Sequence, residues 1–354
     1  MESKERDVFI PSYFNKKENN QIETFLSPEI YSIRLGDAFI FGENSFIIHN
    51  EVVLYDLFES NEIQRFNLKF GSLLSIGKKT VAVLKSVIDV PIIEKGIFLS
   101  GFGSFNYFHF TIELMGKLKF IDSDQNYFEY PLIIDETVKQ TSQLLELLNI
   151  MNTSNRDIIY IKKNHKYLVK DLIYISEISW MPINIKNNQN LINRDSLISK
   201  ECLEYLRFQV LQKYQFNPTE KNLKIFISRK TLVNQRLINE NAVSRIFKKY
   251  GFEIVFPEEM SLKDQVQLFS NADVVVGTTG AALTNIIYCR PGSTLISIVP
   301  QEYNFSIFST IAHNLGIKSI YLDAEIIQRG SSIASSLFEV DLEVCENLLK
   351  NQIH

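Results

Sequence analysis

The clearest fold signal in the chain is Val274-Val-Val-Gly-Thr-Thr-Gly-Ala-Ala-Leu-Thr-Asn285, a short apolar run followed by a glycine-rich turn and a helical pattern. The valines predict a buried strand, and Gly280 permits a tight turn directly into a helix. The free N–H groups that begin a helix attract anions, and Thr278 and Thr279 could add hydroxyl donors. We therefore expect this turn to receive an anionic group, although its glycines also suit a plain strand-to-helix turn.

Strands and helices alternate on both sides of this turn at short spacing, which is typical of βαβ units and a parallel sheet. The second half predicts helices at 194–214, 239–250, 261–270, 281–288, 305–315 and 341–351. Its predicted strands are 223–228, 252–256, 273–276, 294–298 and, as the last strand, 319–322.

The first half is also predicted to be α/β, and its first strands form a different pattern. A β-meander is expected over 31–56, with turns at Leu35-Gly-Asp37 and Phe41-Gly-Glu-Asn44. The polar stretch from Trp180 to Asn190 predicts a linker between two domains. The other predicted elements are strands at 97–100, 131–135, 158–161 and 171–175 and helices at 106–120 and 136–151.

A second anion signal follows the predicted strand 223–228. Ser228, Arg229 and Lys230 stand at its carboxyl end, where ligands bind in open parallel sheets. Arg229 offers a planar fork suited to phosphate oxygens, and Arg236 follows seven residues later. The two arginines could instead form surface ion pairs. Asn239 is a natural N-cap, and Glu240 could accept from sugar hydroxyls or complement the helix dipole.

The helix predicted at 106–120 is apolar on most sides, so we expect it to be largely buried. Its one polar stripe consists of Asn106, His109, Glu113 and Gly116/Lys117. His109 and Glu113 are four residues apart, so the carboxylate could orient the ring and raise its basicity. A catalytic or acceptor-binding histidine and a structural one both fit this pattern.

Composition narrows the function further. The chain has 354 residues and a net charge of −4, which gives no reason to expect nucleic-acid binding. Its charged N-terminus lacks an apolar signal region, so a cytoplasmic location is expected, with peripheral membrane association left open. We interpret Cys202, Cys289 and Cys345 as buried apolar residues, and Asp122-Ser-Asp124 as a solvated turn rather than a metal site.

Three blocks, in this order, resemble glycosyltransferase family 61 in its bacterial capsule and cell-surface polysaccharide branch. They are Asn106-Tyr-Phe-His-Phe-Thr-Ile-Glu113, Ile227-Ser-Arg-Lys230 with Arg236 and Asn239-Glu240, and the turn Gly277–Asn285 with Pro291-Gly292. The family usually has histidine-glycine-alanine in the third block, where this chain has Thr279-Gly-Ala281. Any role of the family's histidine side chain is therefore in doubt here, whereas the backbone of the turn is retained.

The resemblance implies a GT-B-like α/β fold with two Rossmann-type domains facing a cleft. Residues 1–181, including the meander, would form the acceptor-side domain, 191–337 the nucleotide-sugar-binding domain, and 338–354 a C-terminal helix. The implied reaction is inverting transfer from a nucleotide sugar, commonly a UDP-sugar, to a polysaccharide or lipid-linked glycan, without an obligatory metal or other cofactor. The sequence leaves the oligomeric state open.

The same resemblance assigns roles to individual residues. His109 would be the catalytic base, oriented by Glu113, and Asn106 would lie on the acceptor side. A non-catalytic nucleotide- or glycan-binding component of a polysaccharide assembly complex remains the alternative. The expected donor-binding residues are Ser228, Arg229, Arg236, Asn239, Glu240, Gly277, Thr278, Thr279, Gly280, Ala281 and Asn285.

Overall fold

The computed structural model describes residues 3–16, 21–56, 65, 73–76, 81–83, 89–182, 185–186, 191–216, 223–229, 236–330 and 335–352. Lys230 and part of the predicted linker lie outside them. The chain is a mixed α/β protein with two compact units, one made of Met1–Glu5 and Leu26–Gln189, the other of Arg6–Phe25 and Asn190–His354. In the described residues, no helix combines the length and the hydropathy that a membrane crossing requires.

The segment Arg6–Phe25 belongs to the second unit, although the residues on both sides of it in sequence belong to the first. Strand β1 (Glu5–Ile10) pairs with β2 (Gln21–Leu26). The Phe9 N–H donates to Thr310 Oγ1 at 3.1 Å, and Ser309 Oγ donates to the Phe9 carbonyl at 2.6 Å. These bonds to a distant helix attach the segment to the second unit.

The main sheet of the first unit is half parallel and half antiparallel. The strands of this unit are β3 (Ser32–Phe41), β4 (Ile47–His49), β5 (Val52–Leu54), β6 (Leu73–Ile76), β7 (Val81–Val83), β8 (Ile92–Ile93), β9 (Gly96–Phe98), β10 (Leu132–Asp135), β11 (Ile158–Ile161) and β12 (Lys166–Ile175). The order is β11-β10-β9-β12-β3-β4-β5, with β8 also on β12 and with β6 and β7 as a separate pair. Strands β11, β10, β9 and β12 are parallel, and β3, β4 and β5 continue antiparallel.

Strand β3 corrects one expectation. No turn forms at Leu35-Gly-Asp37, because β3 runs through it and pairs with β12 along its whole length. The apolar residues on its buried face, such as Ile40, join a core with Phe98, Ile133 and Leu172. Burial of that face keeps the strand in register across Gly36. The change of direction comes at Gly42–Asn44, as predicted.

The helix predicted at 106–120 is a succession of three helix types. His109–Leu114 is a π-helix, Met115–Lys117 is a 3-10 helix and α1 spans Leu118–Ile121. Gly116, a poor helix former, lies just after the π segment. The helix predicted at 136–151 is also divided, into a 3-10 turn at Glu136–Gln140 and α2 at Ser142–Met151. A further 3-10 turn covers Gln125–Tyr127.

The main sheet of the second unit is entirely parallel. Its strands are β13 (Leu223–Ile227), β14 (Glu253–Val255), β15 (Ala272–Thr278), β16 (Thr294–Ile298) and β17 (Lys318–Leu322), in the order β14-β13-β15-β16-β17. From β13 the chain continues to β14 on one side and then returns to β15 on the other side of β13. The carboxyl ends of β13 and β15 therefore form a topological switch point. Strand β17 is not the last, because β18 (Glu325–Gln328) and β19 (Leu337–Glu339) form an additional antiparallel pair.

Helices cover both faces of this sheet. On one face, α4 and α7 enclose a core that includes Phe226, Phe247, Val276, Ile296 and Leu348. On the other, α5 and α6 pack on the strands and on a 3-10 helix at Ala281–Tyr288. The α-helices are α3 (Lys200–Tyr214), α4 (Glu240–Lys249), α5 (Leu262–Ser270), α6 (Ile307–Asn314) and α7 (Leu342–Gln352), with 3-10 turns at Asn193–Ser196, Pro257–Glu259 and Gln301–Tyr303.

Two helix starts test the sequence interpretation. The helix predicted at 194–214 begins only at Lys200, where Ser199 Oγ accepts from the Cys202 N–H at 3.3 Å. The start of α5 is confirmed, because Ser261 Oγ accepts from the Asp264 N–H at 3.1 Å. All three cysteines are buried, as predicted.

Two glycines, Gly36 in β3 and Gly42 directly after it, allow a stability test of the first unit. A Cβ at Gly42 would overlap the backbone carbonyl of Lys162, whereas a Cβ at Gly36 would meet only the Lys170 carbonyl oxygen at 3.8 Å. We expect Gly42→Ala to lower the free energy of unfolding by about 1–3 kcal/mol, because the backbone must move. Gly36→Ala should stay within about 0.5 kcal/mol of the wild type. Urea unfolding of both variants measures this, and equal midpoints would contradict it.

Candidate functional site

The switch point of the second unit brings together two segments that the sequence had marked separately. Ser228 and Arg229 directly follow β13, and Thr279 and Gly280 directly follow β15. The two strands are hydrogen-bonded neighbours, paired from Leu223 to Ile227. The carboxyl edge of this sheet therefore collects the predicted anion-binding groups of both segments.

Two arginines converge on the turn after β15. A Cβ at Gly280 would overlap the Nη2 atoms of both Arg229 and Arg236, so the guanidinium groups lie directly against the glycine backbone. Arg236 Nη2 also donates to the carbonyl of Thr279. Gly280 has φ 156° and ψ 174°, a conformation open almost only to glycine. Position 280 must be glycine for two reasons, its backbone conformation and the guanidinium groups beside it.

The pKa values of the two guanidinium groups are lowered, by burial in both and by mutual repulsion in Arg236. Burial, followed by the neighbouring Arg229 charge, lowers the pKa of Arg236 to about 9. Burial also lowers the pKa of Arg229, against the opposing effect of Glu240 and Glu258. Both groups are cationic at neutral pH, and two cations held close together in a partly desolvated place favour an anion between them.

Glu240 holds the segment after β13 in place. Its Oε1 accepts from Ser228 Oγ at 2.6 Å and from the Arg229 N–H at 3.0 Å. Glu240 is 2% exposed, so it holds the backbone of Arg229 rather than presenting itself at the surface. Glu240 and Ser228 were both predicted to bind the ligand. In the structure they bind each other, and Glu240 also holds the backbone of Arg229.

Other predicted residues of the turn also have structural partners. Asn239 stands at the N-cap of α4 without capping it, because its amide donates to the Val340 carbonyl at 2.7 Å and its Oδ1 accepts from the Val340 N–H at 3.3 Å. Asn285 is buried and donates to Gln265 Oε1 at 2.8 Å. Gly277 lies inside β15, where a Cβ would meet Ile227 and Leu283, each at 3.2 Å.

The backbone of the turn differs from the expected helix start. The segment that begins at Ala281 is a 3-10 helix, and the Thr279 N–H already donates to the Ile298 carbonyl at 3.1 Å. The side chains of Thr278 and Thr279 are buried, and neither hydroxyl has a hydrogen-bond partner among the described residues. The positive charge near Gly280 therefore comes mainly from the arginines.

Sequence reasoning missed a polar depression on the same edge of the sheet. It lies beyond the carboxyl ends of β16 and β17 and is lined by Lys16, Gln301, Asp323 and Arg329, among others. Lys16 Nζ donates to Asp323 Oδ2 at 2.7 Å and to Gln301 Oε1 at 2.8 Å. Gln301 and Asp323 follow the carboxyl ends of predicted strands, as Arg229 does. The position of these polar residues in the sequence could therefore have indicated the depression.

The first unit carries a separate polar cluster around the π-helix. His109 Nδ1 lies 2.8 Å from Glu113 Oε2, and both side chains are largely buried. The contact predicted from the spacing of these two residues is confirmed. A carboxylate at Nδ1 holds the proton there and leaves Nε2 as the basic nitrogen. Asn106 lies at the start of this segment, where its Oδ1 accepts from the Phe108 N–H at 2.9 Å.

Through Lys117, the cluster extends to residues that the sequence had not marked. Lys117 Nζ donates to Glu177 Oε1 at 3.1 Å. Asp56 Oδ2 accepts from Tyr174 OH at 2.7 Å and from the Glu177 N–H at 3.0 Å. Burial raises the pKa of Glu177 to about 7; Lys117 opposes this shift, and Asp56 and Glu113 add to it. No local sequence pattern pairs these residues, because they come from distant segments.

The turn predicted at Asp122-Ser-Asp124 forms with Ser123 exposed, and both carboxylates have hydrogen-bond partners. Asp122 Oδ1 accepts from Arg156 Nη1 at 2.6 Å, and the Arg156 side chain is completely buried. Asp124 Oδ1 accepts from the Asn126 N–H at 2.9 Å and begins a 3-10 turn. Both carboxylates therefore stabilise local structure.

These features define a mixed α/β protein with a buried histidine–carboxylate pair in one unit and an arginine-lined switch point in the other. The family model described as Glycosyltransferase 61 matches residues 107–296, more than half of the chain. The protein belongs to glycosyltransferase family 61. The matched range contains His109, Arg229, Arg236 and Gly280.

A similar curated protein is the beta-1,2-xylosyltransferase of Arabidopsis thaliana, which is 33% identical over 99 residues. The alignment covers 24% of this chain and 18% of the relative. The chain therefore matches less than a fifth of the length of that protein. This similarity supports the family and leaves substrates to be proposed.

Glu177 makes the stability of the first unit depend on pH. Its folded pKa of about 7 exceeds the ordinary value of 4.5, so the folded state retains a proton that the unfolded chain has lost. This contribution to stability is fully present below pH 4.5 and is lost as the pH rises to about 7. We expect Glu177→Gln to flatten the fall of the urea midpoint between pH 4.5 and about pH 7.

Lys117 provides the opposite test. It lowers the pKa of Glu177, so Lys117→Met should raise that pKa and extend the loss of stability to higher pH. Urea midpoints of both variants and the wild type, measured in the same buffers, check this. Parallel pH profiles for all three proteins would contradict the assignment.

Proposed function

We propose that this protein is an inverting glycosyltransferase that transfers a sugar from a UDP-sugar to a bacterial capsular or cell-surface polysaccharide or glycolipid. The observation that carries the proposal is the convergence of Arg229 and Arg236 on Gly280 at the switch point. Two guanidinium groups at the carboxyl end of a parallel strand match the charge of a nucleotide diphosphate. Membership of family 61 supports sugar transfer as the reaction.

In the proposed reaction, the arginines act on the leaving group. The bond between the anomeric carbon and the diphosphate oxygen breaks, and the oxygen retains the electron pair. Arg229 and Arg236 stabilise the charge that grows there, and fixed donors of this kind contribute about 3–4 kcal/mol each. We propose that these cations neutralise the leaving diphosphate without an obligatory metal.

His109 acts on the acceptor in the same proposal. Its Nε2 removes the proton from an acceptor hydroxyl, whose oxygen forms a new bond to the anomeric carbon from the face opposite the diphosphate. Glu113 holds the other ring nitrogen at 2.8 Å and stabilises the imidazolium that results. We propose a GT-B-like enzyme in which the first unit binds the acceptor and the second binds the donor, working in the cytoplasm on polysaccharide or lipid-linked glycans.

The name of the plant relative suggests which donors to try first. Because that protein is a xylosyltransferase, UDP-xylose belongs beside UDP-glucose and UDP-N-acetylglucosamine in the first panel. A non-catalytic nucleotide- or glycan-binding component is the second candidate, favoured by Thr279 in place of the family's histidine. Transfer or donor hydrolysis with any member of the panel would exclude it.

Gly280→Ala tests the donor site. The new Cβ would displace both guanidinium groups, so we expect UDP to bind about 10–100-fold more weakly, or about 1.4–3 kcal/mol. Gly292→Ala is the matched control, because Gly292 also has a positive φ, 87°, and a Cβ there meets nothing within 4 Å. Both variants should lose stability, and only Gly280→Ala should lose affinity in calorimetry. Equal UDP affinity in the two variants would remove the arginines from the donor site.

His109→Ala tests the proposed base. Transfer from the UDP-sugar should fall by about 10²–10⁴-fold, the range for a lost general base, while UDP affinity stays at the wild-type value. His49→Ala, a substitution on β4 of the same unit, should retain transfer. Both are measured by product formation and calorimetry. A His109→Ala variant that transfers at the wild-type rate would refute the assignment.

A further inference from the structure

The carboxyl ends of β9, β10 and β11 form a second strand-end surface, in the first unit. Asp135, at the end of β10, is completely buried beneath it. Asp135 Oδ1 accepts from the Glu43 N–H at 2.7 Å and from Ser100 Oγ at 2.8 Å, and its Oδ2 accepts from the Gly101 N–H at 3.4 Å. One carboxylate thus ties the turn after β3 to the loop after β9.

A third segment, the turn between β11 and β12, joins the same assembly. The Gly42 N–H donates to the His165 carbonyl at 3.2 Å, and the Gly42 carbonyl accepts from the Asn164 N–H at 3.0 Å. The Phe102 N–H donates to Ser45 Oγ at 3.0 Å. These backbone bonds hold three loops in fixed positions at the edge where open α/β sheets bind ligands.

This fixed surface presents an aromatic ring to solvent. Phe105, at the end of the loop after β9, is 55% exposed. Lys163 Nζ lies 5.9 Å from the centre of its ring and 2.6 Å from Glu43 Oε2. Phe105 precedes His109 by four residues, so the Cα atoms of the two residues lie within about 14 Å of each other.

We propose that Phe105, Lys163 and Glu43 form a subsite for a sugar ring of the acceptor. The apolar C–H face of the sugar stacks on Phe105, whose ring face carries partial negative charge, and the sugar hydroxyls bind the exposed Lys163, which the buried Glu43 carboxylate holds in place. Because the loops are already held by Asp135 and Gly42, binding requires little ordering of the protein. The inference rests on the proposed glycosyl transfer and adds where the acceptor is recognised.

Methyl glycosides of xylose, glucose, galactose, mannose and N-acetylglucosamine are suitable probes. Their binding can be measured by saturation-transfer NMR on the wild type, Phe105→Ala and Phe105→Trp, with UDP affinity determined by calorimetry on the same samples. Phe128→Ala is the matched control, because Phe128 is also exposed, at 42%, with the Arg156 guanidinium 5.6 Å from its ring centre.

We expect at least one glycoside to bind the wild type and to bind Phe105→Ala about tenfold more weakly, or about 1.4 kcal/mol. Phe105→Trp and Phe128→Ala should keep the wild-type affinity, and UDP affinity should be equal in all four proteins. A wild type that binds none of the glycosides, or a Phe105→Ala variant that binds them equally well, overturns the subsite. If the wild type does not bind UDP, the proposed donor chemistry fails, and the glycoside results still decide the subsite independently.

Discussion

The packing of two arginine side chains against one glycine concentrates positive charge at the switch point of the second unit. Arg229 and Arg236 could not both reach the turn after β15 if position 280 carried a side chain. The strand order makes this possible. Arg229 follows β13 and the turn follows β15, and from these two adjacent strands the chain continues in opposite directions along the sheet. Burial and repulsion between the two cations disfavour their charged forms, as the lowered pKa of Arg236 indicates. An anion bound there would relieve both effects, which is why we place the donor diphosphate at this turn.

Much of the second unit could be predicted, since its signals are local. An apolar run such as Val274–Val276 is typical of a parallel strand that is buried on both faces. The carboxyl end of such a strand lies at the same edge of the sheet as the carboxyl ends of its neighbours. That rule was sufficient to bring Arg229 and Gly280 together without knowledge of the structure. The 2.8 Å contact between His109 and Glu113 was predictable for a similar reason, because residues four apart meet on one face of a helical segment.

The errors and omissions arise where distant segments decide the outcome. Asn239 has the sequence features of a cap, but Val340, a hundred residues away, offers its amide both a donor and an acceptor. Nothing local indicates that Arg6–Phe25 packs with the second unit. Burial, together with Asp56 and Glu113, raises the pKa of Glu177 only after folding brings distant segments together, and Lys117 opposes this shift. Local patterns therefore predict which residue types stand at a strand end. Tertiary contacts decide which of these residues hold the local structure together and which remain available to a ligand.

The position where this chain departs from the family pattern can now be interpreted physically. Thr279 is completely buried, and its carbonyl accepts from Arg236. In this chain the residue therefore acts through its backbone, by holding one of the two guanidinium groups against Gly280, and this contribution does not depend on the side chain at position 279. If the diphosphate binds as proposed, the charge that stabilises it comes from the arginines, and a threonine at this position is compatible with an active enzyme.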